Sequence, residues 1–202
     1  AAKQIGLPIE KFIVGSNEND ILTRFLATGT MSMEPVVPTL SPSMDIQISS
    51  NFERLLFDYY DRDGKAVAQA LEEFRSNQSV DFGQGRWQAI SEIFEGYRVN
   101  NSETKAAINE LYQATGELLD PHSIIGVKAG QMGHSDPDSI MVALATAHPA
   151  KFPAAVEEAS GVHPELPAHL ADLFEREERL DEMPNALDQI QDYITNKLEM
   201  RK

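Results

Sequence analysis

A helix-rich α/β fold is predicted by three features of the chain. Two short apolar runs of strand length, "KFIV" at Lys11–Val14 and "SIMVALAT" at residues 139–146, are set among longer stretches whose apolar residues recur every three or four positions. The second run is apolar at nearly every position, the pattern of a central parallel strand covered on both faces. With 202 residues, 42% hydrophobic and 24% charged, the chain can bury the core of one globular domain. Two strands do not make a sheet. Further strands are therefore expected, either too short to show a period or upstream of Ala1.

In chain order, Ala1–Gln4 have the character of the last turn of a helix, closed by Gly6 with Pro8 beyond, as if the chain began inside an element. After the strand at Lys11–Val14, Asn19 can cap a helix that carries Ile21, Leu22, Phe25 and Leu26 and stops at Gly29. Residues 35–45, "PVVPTLSPSMD", hold three prolines without helical period and form a crossing loop. Ser50 stands three residues before Glu53, the spacing of a capping box, and Phe52, Leu55, Leu56 and Tyr59 follow on one face. The same spacing recurs in Val67, Ala70, Leu71 and Phe74. It recurs again in Ile108, Leu111, Tyr112 and Leu119, behind the cap candidates Asn101 and Ser102. Pro184 is suited to open a final helix with Leu187, Ile190, Ile194 and Leu198 inward, and the basic residues from Lys197 to Lys202 complement its dipole.

Charge and composition narrow the function. A net charge of −15, with no run of lysine or arginine, repels nucleic acid and anionic membrane alike. The absence of cysteine removes thiolate chemistry and disulfides. With no apolar run of membrane length and no charged-then-apolar leader, a cytoplasmic location is expected. His134, His163 and His169 lack metal-ligand spacing, and there is no glycine-rich phosphate loop, so no metal site is assigned.

The candidate chemistry lies in polar residues that follow apolar runs. In "ATAHPAKF", Thr146 stands where a parallel strand would hand over to a helix, the place where open α/β sheets bind ligands. Pro149 suits the first helical position, with His148 before it. Two readings of Thr146, Ala147 and His148 stand side by side: a ligand-facing turn, or a plain strand end and helix start. Lys151 is either a Schiff-base lysine or a solvated first-turn lysine. Asp120, His122 and Ser123 of "DPHS" cluster at a helix start, and Asn17, Asn19 and Asp20 of "SNEND" follow a strand. Capping accounts for both clusters as well as ligand binding does.

Together, "SNENDILTRFLATG", "TLSPSMDIQISSNFERLLFD", "DPHSIIGV" and "TAHPAKFPAAVEEA", in this order, resemble the carboxyl-terminal part of the threonine synthase family. These are pyridoxal-phosphate enzymes of fold type II, the tryptophan-synthase-β-like fold. The resemblance covers essentially the whole chain and weakens between about residues 76 and 104 and after Gly161. It implies a small-molecule substrate, O-phospho-L-homoserine, converted with water to L-threonine and phosphate. It also implies that the aldimine lysine and the phosphate-binding loop lie upstream of the matching region. On that basis residues 1–34 are a strand–helix remnant of the cofactor-binding sheet and 35–50 a Pro/Ser-rich crossing segment. Residues 51–202 are then a helical carboxyl-terminal part with one buried strand at 139–146. The 202-residue chain would be inactive by itself, and Lys151 would belong to the "TAHPAKF" motif without being the anchoring lysine.

The resemblance further implies that the Thr146 hydroxyl binds the pyridine nitrogen of the cofactor. Asp120 and His122 are implied near the same ring edge, with Asn17, Asn19 and Asp20 on the phosphate or substrate side. Ser49, Ser50 and Asn51 are expected to shape a helix start, with substrate contact as the alternative. Two other classes remain open from sequence: a phospholyase-like enzyme on the same scaffold, and a non-catalytic acidic helical interaction module.

Overall fold

The computed structural model describes residues 2–200. Its short strands are β1 (Phe12–Ser16), β2 (Thr30–Ser32), β3 (Ser79–Asp81) and β4 (Phe94–Arg98). The helices are α1 (Ile21–Thr28), α2 (Glu53–Tyr59), α3 (Gly64–Asn77), α4 (Gln84–Ser91), α5 (Asn101–Thr115), α6 (Pro121–Gly133), α7 (Pro153–Ser160) and α8 (Leu187–Glu199). Strands β1 and β4 pair in parallel, Phe12 opposite Phe94 through Ser16 opposite Arg98, while β2 and β3 make a separate antiparallel pair. Among the described residues, those up to Glu165 pack as one unit and those from Leu166 as a second.

The parallel pair sets the geometry of the larger unit. Helix α1 packs against β1 and β4, and so does α6. Both approaches are close because glycine removes the side chain at the contact. A Cβ on Gly96 of β4 would stand 2.7 Å from Thr23 Cα of α1, and one on Gly133 would stand 2.5 Å from Ile13 Cδ1. Phe12 and Phe94 stack at 5.0 Å between ring centres, a cross-strand pair that helps fix the register. The main core joins Ile21, Phe25 and Leu26 of α1 to Leu56, to Val67, Ala70, Leu71 and Phe74 of α3, and to Val80 and Phe82. Phe25 meets Phe52 and Phe82 edge-on at 5.3 and 5.5 Å. A smaller cluster of Ala107, Ile108 and Ile124 joins α5 to α6.

Much of the local reading holds. The first strand forms, one residue later than expected, and α1 ends on Gly29 with φ +83°. The apolar face of α3 is buried at the four expected positions. Other expectations are corrected. Residues 139–146 are not a buried strand: they carry no ladder, and Ile140, Val142 and Leu144 are 90%, 73% and 74% exposed. An apolar run becomes a strand only beside a backbone that completes its hydrogen bonds, and none lies alongside it among the described residues.

The caps differ as well. Helix α5 is capped by Asn100, in a box with Glu103, and not by Asn101 or Ser102. Ser50 forms no box with Glu53, because residues 50–52 make a 3-10 turn ahead of α2. Asp20, and not Asn19, holds the cap position of α1. Helix α8 starts at Leu187, beyond Pro184, and Leu187, Ile194 and Leu198 are exposed instead of inward. Periodicity reveals an apolar face but not a partner for it. The expected helix end at Ala1–Gln4 falls partly outside the described residues; residues 2–6 form a turn, with Gly6 at φ +97°. Arg201 and Lys202, the end of the expected basic tail, also lie outside them. Among the described residues no helix is long and apolar enough to cross a membrane.

Candidate active site

The polar motifs, scattered over some 130 positions of sequence from Ser16 to Thr146, converge on the loops around the first turn of α6. Pro121 fills the first helical position there, where no N–H is needed, and Asp120 caps the turn. Its Oδ1 accepts from the His122 N–H at 2.9 Å and its Oδ2 from the Ser123 N–H at 3.2 Å. The carboxylate is fully buried, so these bonds, with the positive end of the helix, offset its loss of water. Oδ1 also meets His122 Nδ1 at 2.8 Å. The other ring nitrogen, Nε2, accepts the main-chain N–H of Ser43 at 3.2 Å, from the 3-10 turn Pro42–Met44. The ring lies 4.4 Å from that of Phe152, centre to centre. One residue on, Ser123 Oγ accepts the N–H of Thr146 at 3.0 Å.

The crossing segment is anchored at its other end by Asn17 and Asn19, both buried. Asn17 Nδ2 lies 2.8 Å from Thr39 Oγ1 and from Asp45 Oδ1, and 3.0 Å from Ser41 Oγ. Asn19 pairs with the backbone of Val37 in both directions, its Oδ1 accepting and its Nδ2 donating at 2.8 Å, and Nδ2 also reaches Asp45 Oδ1 at 3.0 Å. Asn101, at the first position of α5, accepts the N–H of Leu40 at 3.0 Å.

This arrangement sorts the candidate residues. Asp120, His122 and Thr146 come together, and Asn17 and Asn19 join them through the 37–45 segment. In both asparagines, and in Asp120 and His122, the polar atoms are engaged within the chain, so their geometry is that of a scaffold. Thr146 is different: its side chain is exposed and its N–H is held by Ser123, which leaves the hydroxyl free to meet a ligand. Asp20 turns to an ion pair with Arg24 at 2.9 Å. His148 caps the 3-10 turn Pro149–Lys151 through Nδ1, Ala147 leads into that turn half-buried, and Lys151 is exposed. Ser50 and Asn51 are exposed in the turn before α2, where Ser49 Oγ donates to Asn51 Oδ1 at 2.5 Å. Thr39, Ser41, Ser43 and Asp45 were not singled out by sequence, although their small polar side chains in a proline-rich stretch mark a segment whose backbone must be satisfied from outside.

A family profile described as "Threonine synthase, C-terminal" matches residues 123–194. The threonine synthase of Pseudomonas aeruginosa is 47% identical over 195 residues, 96% of this chain and 42% of its own length. That of Eremothecium gossypii is 37% identical, over 98% of this chain and 43% of its own. Among solved structures, a threonine synthase from Brucella melitensis, described as bound to PLP, superposes with a TM-score of 0.85 at 46% identity, covering 96% of this chain and 41% of that one. The yeast enzyme superposes with 0.82 at 34% identity, covering 98% and 44%. The superpositions define the class: a helix-rich α/β chain with the fold of part of these solved structures. More particularly, the chain is similar over nearly its whole length to threonine synthases, and its residues 123–194 match their carboxyl-terminal part. It spans about 42% of the length of the Pseudomonas relative.

Proposed function

We propose that this chain forms the carboxyl-terminal part of a pyridoxal-phosphate-dependent threonine synthase, acting on O-phospho-L-homoserine and water to yield L-threonine and phosphate. The observation that carries the proposal is the 47% identity to a threonine synthase across 96% of the chain. The free Thr146 hydroxyl beside the α6 start fits the cofactor: a neutral O–H can donate to an unprotonated pyridine nitrogen, and the main chain beneath it is pinned by Ser123. When bound, the cofactor supplies an electron-accepting ring. The residues of this chain supply the donor at the nitrogen and rigid support around it. Asp120 and His122 serve that support, and Asn17 and Asn19 fix the 37–45 segment.

Thr146 provides the test, in the full polypeptide that carries this chain. Thr146→Ser keeps the donor and is expected to retain most activity. Thr146→Val keeps the shape but leaves the nitrogen unpaired, costing about 1–3 kcal/mol. That corresponds to a loss of about ten- to a hundredfold in rate or affinity. Thr146→Asp is expected to favour the protonated nitrogen and shift the visible spectrum of the cofactor. A fully active valine variant overturns the assignment.

A further inference from the structure

In the proposed reaction the Asp120–His122 pair has no obvious chemical part, since its polar atoms already have partners inside the chain. Its hydrogen bonds nevertheless impose one arrangement on the ring. Ser43 presents a main-chain N–H, which can only donate, so His122 Nε2 is an acceptor and the ring proton sits on Nδ1, facing Asp120 Oδ1. Asp120 holds that tautomer, and it is itself fixed by two backbone N–H groups of the α6 first turn. His122 and Ser123 are consecutive, and each carries a different loop: the Pro42–Met44 turn on the ring and Thr146 on the hydroxyl.

Resting on the functional reading above, we propose that His122 is a positioning residue for that reaction. Locked in one tautomer by Asp120, it sets the Pro42–Met44 turn relative to Thr146, and through that turn the placement of the phosphorylated amino-acid substrate. Phe152 packs against this support, its ring 4.4 Å from that of His122.

The holoenzyme carrying this chain provides the test, through two substitutions that each keep one end of the ring's role. His122→Gln places an acceptor within reach of Ser43 but loses Asp120. His122→Asn keeps a donor for Asp120 and is too short for Ser43. In the asparagine variant, amide exchange in the peptide spanning residues 40–46 and the KM for phosphohomoserine are each expected to rise about two- to tenfold, the weight of one hydrogen bond, with kcat within about twofold. The glutamine variant is expected to recover most of both. Equal effects of the two variants, or faster exchange with unchanged KM, overturn the proposal. If neither variant folds, nitrogen NMR of histidine-labelled wild-type protein decides: an Nδ1–H tautomer at His122 supports the assignment and an Nε2–H tautomer overturns it. A silent Thr146→Val with the His122 pattern intact faults the cofactor reading alone, and equal glutamine and asparagine effects with an intact Thr146 pattern fault the positioning role alone.

Discussion

Asn17 shows how a side chain with the look of a binding residue can be engaged within the chain. Its amide spans the gap between the end of β1 and a loop 22–28 residues away, and it places its donors on Thr39, Ser41 and Asp45. Removing it takes one donor from Thr39, Ser41 and Asp45 and leaves the buried Asn19 N–H, which Asn17 Oδ1 accepts at 2.8 Å, without that partner, so Asn17→Ala is expected to lower the unfolding free energy by about 1–3 kcal/mol. Asn17→Asp should be worse, because it sets a second carboxylate against Asp45. Urea denaturation of the two variants checks the order, and an aspartate variant as stable as wild type contradicts the hydrogen-bond assignment. No sequence period links residue 17 to residue 45, which is why the partners escaped notice and capping was the natural alternative. Asp120 was easier to read: an acid, a proline and small polar residues ahead of an apolar run are a local signal, and the structure realises the cap they suggest.

At the scale of elements, helices with a buried face were legible, and of the four strands only β1 was. The face of α3 announces itself through four apolar residues at helical spacing, all of them in the core. Strand β4, "FEGYR", hides behind Glu95 and Gly96, although its glycine is what lets α1 approach the sheet. Strands β2 and β3 have three residues each, too few for any alternation to register. Helix α8 makes a prediction of its own. Asp181 accepts from Tyr193 and pairs with Lys197 Nζ at 3.2 Å, ties that clip the preceding irregular segment to the helix. The hydrogen bond from Tyr193, with that from Lys197, holds the Asp181 carboxyl below the usual carboxylate range, while the Lys197 ammonium is raised by its Tyr193 and Asp181 contacts. A depressed acid stabilises above its unfolded pKa of about 4 and loses the effect as pH falls through the lower folded value. A raised base stabilises below its unfolded value of about 10.4 and loses the effect as pH rises past the folded one. Amide protection of α8 is therefore expected to hold a plateau between these limits and to fall on both sides. Asp181→Asn should remove the acid-side fall, and a variant with the same acid profile as wild type rules out the clip.

For the molecule as a whole, the unpaired run at 140–144 is the feature with the largest consequence. Its alternate residues Ile140, Val142 and Leu144 are all mostly exposed, while Met141, between the first two, lies against Gly130 of α6. Apart from that contact the segment presents apolar side chains and backbone groups outside any ladder, the combination that recruits another strand. The apolar pattern from which a buried strand was expected is real; what the described residues do not contain is the neighbour that would bury it. The 202-residue chain, produced by itself, is accordingly expected to self-associate at micromolar concentration and to bind an apolar dye. Replacing Ile140, Val142 and Leu144 together by threonine keeps the extended preference but removes most of the apolar surface. The triple variant should sediment mainly as monomer with an unchanged circular dichroism spectrum. If the unsubstituted chain already sediments as a dye-silent monomer at every concentration, this segment is not an association surface. Its exposed side chains would then be tolerated singly, as scattered surface apolar residues commonly are.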